Sequence, residues 1–262
     1  MELTLYQIDA FANRPFEGNP AAVCPLRDWL PDEIMQSVSE ENNLSETAFF
    51  IPTVDGYHIR WFTPKVEVDL CGHATLAASY VLFNIIGIKQ DKIDFQSRSG
   101  VLTVSKENEW LVMNFPSQPP ELCEMPENMI EALGKSPVEC LKSKDYIVVF
   151  EKEEDILLLK PRNEELQKLD LRGVIATAKS SKYDFVLRFF APKYGISEDP
   201  VTGSAFTQLA PYWSEKLGKT RLHARQVSNR GGELICEIIN DRVNIFGKAV
   251  KYFEGRIQVP VE

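Results

Sequence analysis

Apolar and polar positions along the chain follow two rhythms. Short alternating or continuous apolar runs bounded by turn residues predict strands near 2–9, 19–25, 45–51, 57–63, 93–97, 101–106 and 110–115 in the first half. In the second half the same signal predicts strands near 145–150, 172–178, 183–190, 233–239 and 242–249. Two longer runs carry helical spacing. The first, 31–42, opens with Pro31, whose fixed φ suits the first turn. The second, 73–86, is apolar on nearly every face: Ala74, Leu76, Ala77, Ala78, Tyr80, Val81, Leu82, Phe83, Ile85 and Ile86. Such a helix has no side to give to water, so strands must surround it. A third helix is predicted near 204–217, with Pro211 either kinking it or lying near its start.

These elements recur in order. Arg60-Trp61-Phe62-Thr63-Pro64-Lys65 returns as Arg188-Phe189-Phe190-Ala191-Pro192-Lys193, a shift of 128 residues (188 less 60). Gly72-His73-Ala74 returns as Gly203-Ser204-Ala205, shifted by 131, and the helical runs that follow end at Gly87 and Gly218, again 131 apart. Arg98-Ser99-Gly100-Val101-Leu102 matches Arg230-Gly231-Gly232-Glu233-Leu234. Four ordered matches at nearly constant shift indicate a duplicated unit. The expected fold class is therefore α+β: two pseudo-symmetric domains, each a curved, barrel-like β-sheet wrapped around a central buried α-helix. The proline-rich stretch 116–127 reads as the linker, giving domains 1–117 and 118–262. The terminal strand, Tyr252 to Val259, is expected to return to the first domain.

Composition narrows the function. The net charge of −9 argues against nucleic acid, which needs clustered cations. The start, Met1-Glu2-Leu3-Thr4-Leu5, lacks the basic and apolar regions of a signal peptide, and the longest apolar stretch, Leu76 to Ile88, is too short for a bilayer. The five cysteines are odd in number and never spaced C-x-x-C, so reduced thiols in a cytoplasmic protein are expected rather than a disulfide framework or zinc site. No His, Cys, Asp and Glu share metal-ligand spacing, and no metal is expected.

Candidate chemistry gathers at the loops before the two central helices, Glu67 to His73 and Ser197 to Ser204. Each ends in Gly followed by a small or polar residue at a helix start, where free N–H groups favour a carboxylate. His73 and Ser204 also fit a plain capping role. Glu46 opens the apolar strand Thr47-Ala48-Phe49-Phe50-Ile51, where an unpaired carboxylate is costly to bury and often has a raised pKa suited to proton transfer. A partly exposed strand-end Glu is the plainer reading. Asp199, before Pro200, is either an Asx turn or a second polar group facing the first loop.

Taken together, Asp9-Ala10-Phe11, Phe16-Glu17-Gly18-Asn19-Pro20-Ala21-Ala22-Val23, Asn43-Leu44-Ser45-Glu46-Thr47-Ala48-Phe49, Leu70-Cys71-Gly72-His73-Ala74-Thr75 and Glu198-Asp199-Pro200-Val201-Thr202-Gly203-Ser204-Ala205 resemble the PhzF (phenazine-biosynthesis-like) family and, more distantly, the diaminopimelate epimerase-like superfamily. The resemblance runs across nearly the whole chain. It implies a homodimer with a site between two domains and an isomerase that needs no cofactor. The substrate would be small and anionic. Glu46 looks like the catalytic carboxylate. Gly72, His73, Asp199, Gly203 and Ser204 look like substrate-binding residues. The thiol racemases of the wider superfamily use two facing cysteines, whereas here Cys71 aligns with Thr202, 131 residues on, so that chemistry is disfavoured. An amino-acid racemase or epimerase, and a non-enzymatic ligand-binding protein on the same scaffold, are the alternatives.

Overall fold

The structure, a computed structural model, describes residues 1–260; the last two residues of the expected C-terminal domain lie outside them. The chain forms two compact units, Met1–Asn114 with the segment from Phe246 onward, and Phe115–Ile245.

The first unit contains β1 (Glu2–Ala10), β2 (Asn19–Pro25), α1 (Asp32–Asn42), β3 (Glu46–Thr53), β4 (Gly56–Phe62), β5 (Glu67–Val68), α2 (Gly72–Tyr80), β6 (Lys92–Ser97), β7 (Gly100–Glu107) and most of β8 (Trp110–Pro116). In the second lie β9 (Glu121–Leu122), α3 (Met129–Leu133), β10 (Glu139–Lys142), β11 (Tyr146–Val149), α4 (Glu153–Leu157), α5 (Asn163–Leu166), β12 (Val174–Lys179), β13 (Phe185–Phe190), α6 (Gly203–Leu217), β14 (Arg221–Gln226) and β15 (Gly232–Ile239), and most of β16 (Arg242–Gly247). The last strand, β17 (Ala249–Gln258), pairs antiparallel with β1 in the first unit, with a bulge at Gln7/Ile8.

The duplication is visible in strand pairing. In the first unit β2 runs parallel to β3, β3 antiparallel to β4, β4 parallel to β6 and β6 antiparallel to β7. The second unit repeats this as β11 with β12, β12 with β13, β13 with β14 and β14 with β15. Each unit also repeats one ion pair. Arg60 forks onto Glu67 through Nε and Nη2, both at 2.7 Å, and lies over the Phe62 ring. Arg188 forks onto Glu198 at 2.7 and 2.8 Å and lies over Phe190. A bidentate, half-buried pair of this kind holds geometry better than a surface pair. Both anchor the loop that leads into a central helix.

The run 73–86 is helical throughout but changes pitch: α2 is followed by a π-helical turn over Val81–Ile86, ended by Gly87 at φ 76°. Every residue from His73 to Ser79 is buried, and the helix packs against β1, β2, β3 and β17. The helix α6 ends likewise at Gly218 with φ 65° and packs on β14 and β15. Left-handed backbone at both ends explains why glycine recurs there. Pro211 sits inside α6 rather than near its start. A proline there cannot donate to the carbonyl four residues back. That carbonyl, of Thr207, instead accepts from the N–H of Gln118 at 3.0 Å. Trp213 stacks on Phe185, centroids 5.7 Å apart, and its indole N–H donates to Thr177 Oγ1 at 3.0 Å.

Second cores lie beneath other helices. Met35 and Val38 of α1 pack with Phe49 and Phe62, whereas Met129, Leu133, Ile156 and Leu166 of α3–α5 pack with Val148 and Phe190. The sequence reading missed α3, α4 and α5, each of five residues or fewer, and the strands β5, β9, β10 and β14.

Candidate active site

In the first unit three groups meet at the start of α2. The helix cap is Cys71, in extended backbone and without a side-chain cap bond, so Gly72 is the first helical residue and His73 the second. His73 is thus not the cap. Thr75 Oγ1 donates to the Cys71 carbonyl at 2.6 Å and Ser79 Oγ to the Thr75 carbonyl at 2.8 Å, which fixes the turn. Glu46 is the first residue of β3 and lies beside Ala21 of β2. Its side chain is 15% exposed and that of His73 9%, and His73 Nε2 stands 3.1 Å from Glu46 Oε2. The other ring nitrogen, Nδ1, is 3.5 Å from Cys71 Sγ. The Glu46–His73 contact is an ion pair rather than an aligned hydrogen bond: neither Nε2 nor Oε2 has a hydrogen-bond partner of good geometry among the described residues.

The electrostatics correct one expectation. Burial pushes the Glu46 carboxyl up, but the charge of the His73 ring beside it, with the Cys71 thiol, outweighs burial, and the net shift is down rather than up. For His73, burial disfavours the charged ring, but Cys71 and Glu46 beside it raise its pKa well above the ordinary value. Burial, then the negative charge of Glu46, raises the Cys71 thiol. The shifts favour charge on Glu46 and His73 and disfavour it on Cys71.

The second unit places different groups around the matching helix start. Thr202 is the cap of α6, Gly203 the first helical residue and Ser204 the second, so Ser204 is not the cap either. Thr202 Oγ1 donates to Asp199 Oδ2. The buried Gln226 carboxamide accepts from Thr202 N at 2.9 Å and donates to the Asp199 carbonyl at 2.7 Å. Arg172 Nη2 donates to Ser204 Oγ at 3.0 Å while the same guanidinium forks onto Asp145 at 2.9 and 2.6 Å. Asp145 is fully buried and also accepts from Gln208 Nε2 at 2.7 Å. Burial opposes the charge on Arg172, but Asp145 and then Asp199 hold its pKa up.

The chain matches the family described as phenazine biosynthesis-like protein over residues 8–255. It belongs to that family, the PhzF family. A protein of Pseudomonas aeruginosa named an uncharacterized isomerase is 52% identical over 259 residues, 99% of this chain and 100% of the relative. The crystal structure of a PhzF-family protein from Enterococcus faecalis superposes with a TM-score of 0.97 at 45% identity, covering 98% of this chain and 100% of that one. A hydroxyproline epimerase from Agrobacterium vitis shares the fold alone, with a TM-score of 0.61 at 8% identity over 98% of this chain and 92% of that one.

Within this PhzF-family chain the structure brings Glu46, Gly72 and His73 together in one unit and Asp199, Gly203 and Ser204 in the other. Spacing along the sequence offered no metal-ligand set, but folding gathers Glu46, Cys71 and His73, with donor atoms within 4.8 Å of one another. Among the described residues no helix is long and apolar enough to cross a membrane. The sequence reading missed Asp145, Arg172, Gln208 and Gln226. The one signal for Arg172 was its place before Gly173, which gains meaning only from strand register.

Proposed function

We propose that the chain is a cofactor-independent isomerase that moves a proton between carbons of a small carboxylate-bearing substrate. The observation that carries this reading is the buried Glu46–His73 pair at the start of α2. A carboxylate kept ionised in a poorly solvated site can take a proton from carbon without first losing one of its own. The imidazolium beside it steadies Glu46 while that carboxylate is charged and offers a donor to charge developing on the substrate. Among the described residues neither facing atom has a hydrogen-bond partner of good geometry, which suits an exchange with substrate. Gly72 and the helix start, with Asp199, Gly203 and Ser204, are assigned to substrate binding on the family resemblance. A cytoplasmic homodimer belongs to the same reading.

The test is exchange with solvent. The protein is incubated in D2O with a panel of small unsaturated, hydroxy and amino carboxylates, and products are read by mass spectrometry. Isomerisation with deuterium gained at carbon is expected for the true substrate, falling at least about 100-fold in Glu46→Gln. Undiminished exchange in that variant removes the assignment of Glu46. Tight binding of a carboxylate with no exchange in either protein would instead favour a non-enzymatic ligand-binding protein.

One observation favours a racemase or epimerase as the second reading: Cys71 Sγ lies 3.5 Å from an imidazole nitrogen. Burial holds that thiol protonated, and its counterpart in the other unit is Thr202, both of which weigh against it. Exchange at the α-carbon of a free amino acid that disappears in Cys71→Ala would favour this reading over the first.

A further inference from the structure

The spacing of the cysteines along the chain offers no reason to pair any thiols, but strand register pairs two of them. In the β9–β10 ladder Glu121 faces Lys142 and Leu122 faces Leu141. One step further along the same register, Cys123 faces Cys140, and Cys123 N donates to the Cys140 carbonyl at 3.1 Å. Directly opposed, hydrogen-bonded antiparallel residues hold their Cα atoms about 5.5 Å apart with side chains on one face. That lies inside the roughly 4.4–6.8 Å a disulfide spans. The sulfurs are 3.7 Å apart, so closure needs rotation of side chains and little of the backbone.

We propose that Cys123 and Cys140 form a dithiol site that closes reversibly to an intrachain disulfide on meeting a small-molecule disulfide. The two thiols differ in a way that sets the order of events. Cys123 is half-buried, whereas Cys140 is 5% exposed. Burial, reinforced by the neighbouring Cys123, pushes the Cys140 thiol up to about 12. Cys123 therefore reacts first. Its thiolate attacks one sulfur of the small disulfide, forming a mixed disulfide and releasing one small thiolate. Cys140 then attacks the Cys123 sulfur, its proton leaves to water or the departing group, and the second small thiol is released. The protein loses two protons and two electrons, and the small disulfide is reduced to two thiols.

Closure would latch the chain just after residue 118 onto a strand tied to the central helix. Glu139 of β10 accepts from Tyr212 Oη at 3.1 Å and Lys216 Nζ at 2.7 Å, and Gln118 N donates to the Thr207 carbonyl. All three partners lie on α6. Constraining the unfolded chain across this loop should raise the melting temperature by several degrees.

The experiment treats the full-length protein with oxidised glutathione, alkylates it under denaturing conditions and counts thiols by mass spectrometry. Free thiols should fall from five to three. Trypsin cuts after Lys135, between the two cysteines, so the bond should appear as a linked peptide pair that dithiothreitol separates. Cys140→Ser should stop at a mixed disulfide on Cys123, and Cys123→Ser should keep its remaining thiols and show no thermal gain. Five free thiols in the treated protein, a link between other cysteines, or a link between chains would each overturn the proposal.

Discussion

The two loops that enter the central helices share a frame and differ in chemistry. Both are held by an Arg–Glu fork beside a phenylalanine ring, both cap the helix with a side chain that makes no cap bond, and both begin it with glycine. The second helical residue is then met by opposite charges: His73 by the Glu46 carboxylate, Ser204 by the Arg172 guanidinium. Register explains the change. Thr47 pairs with Phe62 and Val174 with Phe190, so the residue before each, Glu46 and Gly173, occupies the same place in the repeat. A Cβ on Gly173 would lie 2.6 Å from the Phe190 carbonyl and 2.9 Å from the Phe189 ring. The second unit thus has no room for a carboxylate there, and the preceding Arg172 reaches the helix start instead. Duplication kept the scaffold that positions a loop while allowing the groups it presents to diverge.

The largest effect that would sharpen this contrast is on catalysis. Glu46→Gln should reduce turnover at least about 100-fold with a melting curve close to the parent. A loss of similar size in Arg172→Lys, with folding intact, would mean that both units share the proton chemistry. Next comes stability. Arg172→Met leaves the buried Asp145 carboxylate with only the Gln208 carboxamide among its named partners, and should cost about 3 kcal/mol in urea unfolding. A change below about 0.5 kcal/mol would show that the guanidinium is dispensable to the second loop. Smaller still, Gly173→Ala should cost about 1–3 kcal/mol through the clash with Phe189 and Phe190. If it is tolerated freely, space is not what excludes a side chain at the position matching Glu46.

Much of the architecture could be read before any coordinates. Apolar alternation located most of the strands, the all-round apolar run identified the buried helix, and the Arg60/Arg188 and Gly72/Gly203 repeats exposed the duplication. The short helices α3–α5 escaped because four or five residues carry too little periodicity, and β14 because its alternation rests on only two apolar residues, Leu222 and Ala224. For the site, Glu46, Gly72 and His73 stood out individually, but their meeting depends on β3 lying beside the start of α2. Burial alone would raise the Glu46 carboxyl; the sign reverses because folding brings His73 and Cys71 beside it, which the local sequence around Glu46 does not show. Asp145 and Arg172 lie 27 residues apart and are joined only by the β11–β12 side of the sheet, which no local pattern announces.

The central claim is that Glu46 and His73 form a charged pair, and titration of the His73 ring by NMR tests it most directly. His73, with its pKa raised in the folded protein, adds stability that is fully present below its ordinary value of about 6.5 and is lost as pH climbs through the raised one. Glu46, with its pKa lowered, adds stability present above its ordinary value of about 4.3 and lost as pH falls through the lowered one. The account predicts a His73 ring that stays protonated well past neutrality in the parent protein and titrates at markedly lower pH in Glu46→Gln. A ring that titrates near 6.5 in both proteins would contradict it.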